Sequence, residues 1–246
     1  MPSTPPSVIW SRLPDPGQSR ALDHETITRA AVAAADQDGL GAVSIRKVAG
    51  QLGSSPMSLY RYISSREDLT ELMYDAVLGE LDLGEIDQGD TKPDWRTGLT
   101  AIARGLRAIH HRHPWVGQLG QRATLGPNAV RMLEHAMACV QSLGLPIDAT
   151  LDLVSTTMQF TRGFVLEELG ELEAQRSRGM DQQTWHQHLA PFITRLLEGG
   201  GHPYLEWLIN DAEDFPDPDV VFERRLALVV DGLAAGLGVP SKPAVL

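Results

Sequence analysis

Ser44-Ile-Arg-Lys-Val-Ala-Gly-Gln-Leu-Gly-Ser-Ser-Pro-Met-Ser-Leu-Tyr-Arg-Tyr-Ile63 is the stretch on which the reading of this chain turns. Ser44 can cap a short helix in which Ile45, Val48, Ala49 and Leu52 form the apolar stripe, leaving Arg46, Lys47 and Gln51 outside. Gly53 can take the positive φ that stops that helix. Ser55 can cap a second helix whose first turn accommodates Pro56. Two short helices joined by a tight turn containing glycine form the helix-turn-helix pattern. At 100° per residue, Pro56, Leu59 and Ile63 share one face of the second helix. Met57, Ser58 and Arg61 fall opposite, with Tyr60 and Tyr62 on the flanks. Such a face suits the major groove. Arginine can donate to base-edge acceptors or phosphate, a thioether can touch a thymine methyl, and hydroxyls can reach phosphates. The same spacing is equally compatible with two ordinary surface helices.

Working outward, Asp23 is placed to cap a helix carrying Ile27, Ala30, Ala31 and Ala34 at i, i+3, i+4, i+7, ended by Gly39 and Gly41. Downstream, Ser65 with acids in the next turn makes a capping pattern ahead of Leu69, Leu72, Met73, Ala76 and Val77. No strand-like alternation persists. Breakers near residues 39–43, 53–55, 64–65, 84–93, 113–114, 144–146, 170–181, 198–203 and 214–218 leave room for nine or ten helices and no sheet. Residues 1–19, with five prolines, read as a flexible arm from which Arg12 or Arg20 could touch DNA.

From about Glu25 to Leu81 the chain resembles the DNA-binding domain of TetR/AcrR regulators. The likeness is carried by the Thr26–Ala35 helix, Asp38-Gly39, Ser44-Ile-Arg-Lys-Val-Ala, Leu52-Gly53-Ser-Ser, Leu59-Tyr60, Tyr62-Ile63 and Arg66-Glu-Asp-Leu-Thr. By motif, the resemblance implies DNA contacts from Ser44, Arg46, Ser58, Tyr60, Tyr62 and Arg66. The residues of the two helices add Lys47, Ser55, Pro56, Met57 and Arg61 as candidates. It also implies that the helix after Ser65 links two domains and moves one against the other.

Residues 94–239 are similar, more loosely, to the C-terminal domain of the tetracycline-repressor branch. The landmarks are Asp94-Trp95-Arg96, His113-Pro114-Trp115, Gly126-Pro127-Asn128, Leu143-Gly144-Leu145 and the segment from Phe222 to Leu237. The expected architecture is all-α: an N-terminal three-helix helix-turn-helix domain and a C-terminal helical ligand-binding and dimerisation domain. The expected boundaries are 1–19 for the arm, 20–66 for the reading head, 67–92 for the linking helix and loop, and 93–240 for the effector and dimer domain.

In 151–169 one stripe holds Leu151, Val154, Met158, Val165 and Leu169, and another holds Leu153, Thr157, Phe160 and Phe164. The run from Leu226 to Leu237 is apolar almost all round, with Asp231 its one charge and Gly232, Ala235 and Gly236 small enough for close backbone approach. These two helices are expected to meet their symmetry mates in a homodimer, which a palindromic operator requires. Burial inside a monomer is the competing explanation.

Ile102, Leu106, Trp115, Met132, Met137, Phe160 and Phe164 are candidates for lining a small-molecule effector pocket, though such side chains fill cores whether or not anything binds. The polar drug and magnesium contacts of the tetracycline branch do not reappear: the matching places hold Asp82, Ile102, Leu106, Gly120 and Ala123. An apolar effector is therefore expected in place of tetracycline with magnesium, and no cofactor. His110, His111 and His113 precede Pro114 without a neighbouring carboxylate or cysteine in the sequence. Cationic side chains at a helix C-terminus explain them better than a metal.

Composition agrees once it is divided. The 246 residues carry a net charge of −11, which argues against a polyanionic partner. Yet residues 1–66 hold seven bases and five acids, a net of +2, and the remainder holds 14 bases and 27 acids, a net of −13. Only the basic end could approach phosphates. A lone cysteine, Cys139, excludes an intrachain disulfide and fits a cytoplasmic protein, and neither a signal peptide nor a membrane span is expected. No G-x-S-x-G, Walker A, G-x-G-x-x-G, H-E-x-x-H or C-x-x-C motif suggests an enzyme. The remaining alternatives are a helical interaction module, or an activator without small-molecule control.

Overall fold

The computed structural model describes residues 9–12, 22–84, 94–119, 125–212 and 215–239. Among them there is no strand, and ten α-helices follow one another: α1 (His24–Asp38), α2 (Ile45–Gln51), α3 (Pro56–Leu59), α4 (Arg66–Leu78), α5 (Trp95–Arg112), α6 (Pro127–Val140), α7 (Ile147–Arg178), α8 (Gln182–Glu198), α9 (Pro203–Asp211) and α10 (Pro218–Gly236). Short 3-10 turns lie at Ile9–Arg12, Leu40–Ala42, Pro114–Gln118 and Gln141–Leu143. No helix among the described residues is long and apolar enough to cross a membrane.

Most helix starts are set locally. Asp23, Ser44, Ser55 and Ser65 are extended and accept the backbone N–H three residues on, satisfying an otherwise orphaned donor in α1, α2, α3 and α4 respectively. The N–H of Thr26 also holds the Asp23 carboxyl below the usual carboxylate range. α6 has no such residue of its own: Gly126 stands at its N-cap and has no side chain to offer. The cap comes instead from Asp75 of α4, whose buried carboxylate accepts from the backbone N–H groups of Asn128 (3.1 Å) and Ala129 (3.0 Å) and from Asn128 Nδ2 (3.0 Å).

The chain forms two compact units, residues 1–162 and 163–246. In the first, α1 packs on α2 and α4, α2 on α3, α4 on α5 and α6, and α5 on α6. The helix-turn-helix and the helices α4 to α6 that follow it therefore share one packed unit. Ile27, Ala31, Val48, Leu59, Ile63, Leu69 and Met73 are wholly buried and form the core of the head. Inside the arm expected to lack a fixed fold, Ile9–Arg12 make a 3-10 turn against α4, with Ile9 fully buried. Arg20 and most of the arm lie outside the described residues, as do 85–93, Gly120 and Ala123.

In the second unit, α10 buries Val221, Phe222, Leu226, Val230 and Ala234. Phe164 meets Phe222 edge to face at 5.2 Å. α8 and α9 bury no residue fully, and Phe192, Tyr204, Trp207 and Leu208 are exposed. A break was expected from residue 170 onwards, but α7 runs through Gly170 to Arg178. One glycine costs a helix only about 1 kcal/mol, and the neighbouring good helix formers offset it.

Candidate nucleic-acid interface

The helix-turn-helix forms as its spacing requires. Val48 and Ala49 of α2 and Leu59 and Ile63 around α3 are entirely buried, which fixes which sides of the two helices face solvent. Gly53 sits at φ +60° and turns the chain between them, a conformation that costs an L side chain strain. α3 is shorter than its periodicity suggested. Regular helix ends at Leu59, and Tyr60–Tyr62 continue as a turn in which the N–H groups of Tyr62 and Ile63 both donate to the Leu59 carbonyl. The next helix explains the early stop, because Ser65 must be extended to cap α4.

The solvent side carries the expected surface. Met57 is 74% exposed and Tyr60 50% exposed, high values for large apolar or aromatic side chains on a packed domain. Arg46 and Arg61 are exposed, as are Pro56 and the cap residues Ser44 and Ser55. Ser44 Oγ accepts from the Lys47 N–H at 3.2 Å, an acceptor role that leaves its hydroxyl proton available to phosphate. Ser55 Oγ likewise accepts from the Ser58 N–H, and the two hydroxyls lie 2.9 Å apart.

Three candidates have partners within the head. Lys47 pairs with Asp38 at 2.5 Å, so α2 is tied to the end of α1. Arg66 donates to the Leu40 carbonyl at 2.9 Å and anchors the start of α4. Tyr62 is half-buried, with His24 edge-on to its ring at 5.3 Å and His24 Nε2 3.1 Å from its carbonyl. His24 and Asp38 thus support the surface without belonging to it. Neither role was legible in the local sequence, because each partner is brought close by the fold.

The effector candidates divide differently. Ile102, Leu106, Trp115 and Phe164 are buried, and Met132, Met137 and Phe160 are half-buried. The indole N–H of Trp115 donates to Asp36 at 2.7 Å, which commits one edge of that ring to α1. A cavity of about 440 Å³ lies among α1, α4 and the start of α6, lined by residues that include Trp10, Thr28, Leu72 and Asp75 and none of the seven candidates. His110 turns inward from α5, its Nδ1 2.8 Å from the Leu106 carbonyl. Burial, followed by the charges of Arg162 and His111, holds its ring below the ordinary imidazole range despite the Leu106 carbonyl. Burial likewise raises the Cys139 thiol. Among the described residues, no group of three or more histidine, cysteine and acidic side chains could hold a metal ion.

Comparison with known proteins extends this geometry. The family model "Bacterial regulatory proteins, tetR family" matches residues 27–73, and "Tetracyclin repressor-like, C-terminal domain" matches residues 88–237. The HTH-type transcriptional repressor DrrR1 of Streptomyces coeruleorubidus is 32% identical over 229 residues, covering 92% of this chain and 83% of the relative. The class A tetracycline repressor from transposon 1721 of Escherichia coli is 26% identical, covering 87% of this chain and 91% of the repressor. Among solved structures, the Streptomyces coelicolor TetR family protein ActR in complex with actinorhodin superposes with a TM-score of 0.70 at 26% identity, over 88% of this chain and 97% of ActR. The chain belongs to the TetR family of helix-turn-helix transcriptional regulators, with a C-terminal domain of the tetracycline-repressor type.

Proposed function

We propose that the chain is a homodimeric repressor that binds a palindromic operator through α2 and α3 and is released by an apolar small-molecule effector. The observation that carries the reading is the solvent row of Arg46, Met57, Tyr60 and Arg61, set on helices whose opposite sides are fully buried. A free surface has little reason to present a 74% exposed methionine beside a tyrosine and two arginines, whereas a groove has a use for each. Ser44, Lys47, Ser55, Pro56, Ser58, Tyr62 and Arg66 complete the surface, as caps, phosphate donors or supports. The reading head is assigned to residues 20–66, the linking segment to 67–92, and effector binding and dimerisation to 93–240.

The solved complex of ActR with actinorhodin supports control by a small-molecule effector. Ile102, Leu106, Met132, Met137, Phe160 and Phe164 are offered as its wall, with Trp115 contributing only the ring face not turned to Asp36. The protein acts by binding and not by catalysis, in the cytoplasm with the DNA it reads.

Operator binding is measured with the duplex that the wild-type protein selects from a randomised pool. Arg46→Ala and Tyr60→Ala each lower affinity by about tenfold or more, the effect of losing one good polar contact. Circular dichroism of both variants stays that of the wild type, since neither side chain is buried. Wild-type affinity in both variants would reassign the contact surface.

A further inference from the structure

Asp36 lies in the last turn of α1, on the reading head, and receives two buried donors from a different part of the first unit. His113 Nδ1 is 2.7 Å from Asp36 Oδ1, and the Trp115 indole N–H donates to the same oxygen at 2.7 Å. The His113 side chain is 5% exposed and Trp115 is 2% exposed, so neither can turn to water without unpacking. The other ring nitrogen of His113 lies 3.3 Å from both carboxylate oxygens of Glu80, two residues past α4. Arg112 pairs with Glu80 from the end of α5. The end of α1, the end of α4 and the turn after α5 therefore converge on His113, which Pro114 follows. α1 also packs directly on the 3-10 turn that carries Trp115.

Apolar packing between helices is non-directional and tolerates small slides. Two short hydrogen bonds onto one carboxylate oxygen do not, because a slide of about 1 Å takes both beyond hydrogen-bond length and strands two buried donors. We infer that Asp36 is a positioning residue: through His113 and Trp115 it latches the reading head to the α5–α6 body at one register. In the dimer this latch sets the distance between the two heads, and with it the half-site spacing that the protein accepts. The inference rests on the palindrome-reading dimer proposed above. It assigns the His-Pro-Trp segment a role in DNA selectivity.

The test compares wild type with Asp36→Ala, Asp36→Asn and Trp115→Phe on three kinds of duplex. These are the palindrome selected by the wild type, the same palindrome with one base pair added or removed at its centre, and an isolated half-site. Asp36→Ala lowers affinity for the selected palindrome by about tenfold, leaves half-site affinity within about twofold, and flattens the preference among spacings. Asp36→Asn, which keeps an acceptor for Trp115, lies between wild type and Asp36→Ala. Trp115→Phe, which keeps the ring and deletes the donor, follows Asp36→Asn. Wild-type spacing preference in Asp36→Ala overturns the latch, and so does an equal loss on half-site and palindrome, which marks a merely structural carboxylate. If Asp36→Ala fails to fold, Asp36→Asn and Trp115→Phe decide by the same comparison. Absence of any preferred site in the wild type removes the DNA-reading proposal itself, and the latch with it.

Discussion

A methyl group added to Gly126 would stand on the Asp75 carboxylate and within 2.7 Å of the Trp10 ring. The glycine is there because two other chain segments occupy the space a side chain would need. Asp75 is 4% exposed and spends its carboxylate on the first turn of α6, where a negative group also suits the helix dipole. Asp75→Ala removes the cap and leaves buried N–H groups unpaired. It is expected to cost about 2–3 kcal/mol in urea unfolding, more than the roughly 1 kcal/mol of an exposed cap. Asp75→Asn keeps one acceptor oxygen and should cost less than Asp75→Ala. Equal stability of Asp75→Ala and wild type would mean that solvent replaces the carboxylate.

α5 carries a pH-sensitive element. His110 is 3% exposed and its ring is held below the ordinary imidazole range, chiefly by burial. As pH falls through about 6.5 the unfolded chain takes up a proton at this position more readily than the folded chain, so acid favours unfolding. Stability should therefore fall as pH drops from about 7 toward 5, and His110→Leu should flatten part of that decline in urea midpoints measured across the range. An unchanged slope in the variant would place the acid sensitivity in other groups. Element by element, the sequence was most informative where the signal is local. The caps at Asp23, Ser44, Ser55 and Ser65, the turn at Gly53 and the stripes of α2 and α4 all follow from residues within four positions of one another. It was least informative where the partner is distant. Asp75 reaches across 53 residues to Asn128 and Asp36 across 79 to Trp115, and neither acid stands out in its own segment. The same limit applied to α7. Gly170 resembles a breaker when judged alone, and only the helix formers on both sides decide that the helix continues. The exposed side of α2 and α3, proposed to meet DNA, was legible as residue types at a spacing, whereas the contacts of His24 and Asp38 beneath it were not.

At the scale of the whole molecule, the charge division and α10 point to the same assembly. Residues 67–246 carry a net −13, so a single +2 head has little electrostatic reason to hold DNA, and two heads on one duplex double the phosphate contacts. The face of α10 opposite Phe222, Leu226 and Val230 holds Val220, Ala227, Leu228, Asp231 and Ala235, all exposed, with Leu228 67% exposed. Gly232 at the edge of that face has nothing within 4 Å of an added Cβ, so this chain's own packing does not require it to be small. A second copy of α10 crossing at close range would give that smallness a use. Leu228→Glu discriminates between the two situations. On a free surface the change would alter stability by no more than about 0.5 kcal/mol and would leave assembly untouched. In a dimer seam it buries an unpaired carboxylate, so sedimentation should show monomers whose circular dichroism matches the wild type. The salt dependence of operator binding should then fall to about half its wild-type slope, because one head releases half the counterions. Intact dimers with an unchanged slope would move the seam away from α10, and the exposed leucine would have to be explained by a different partner.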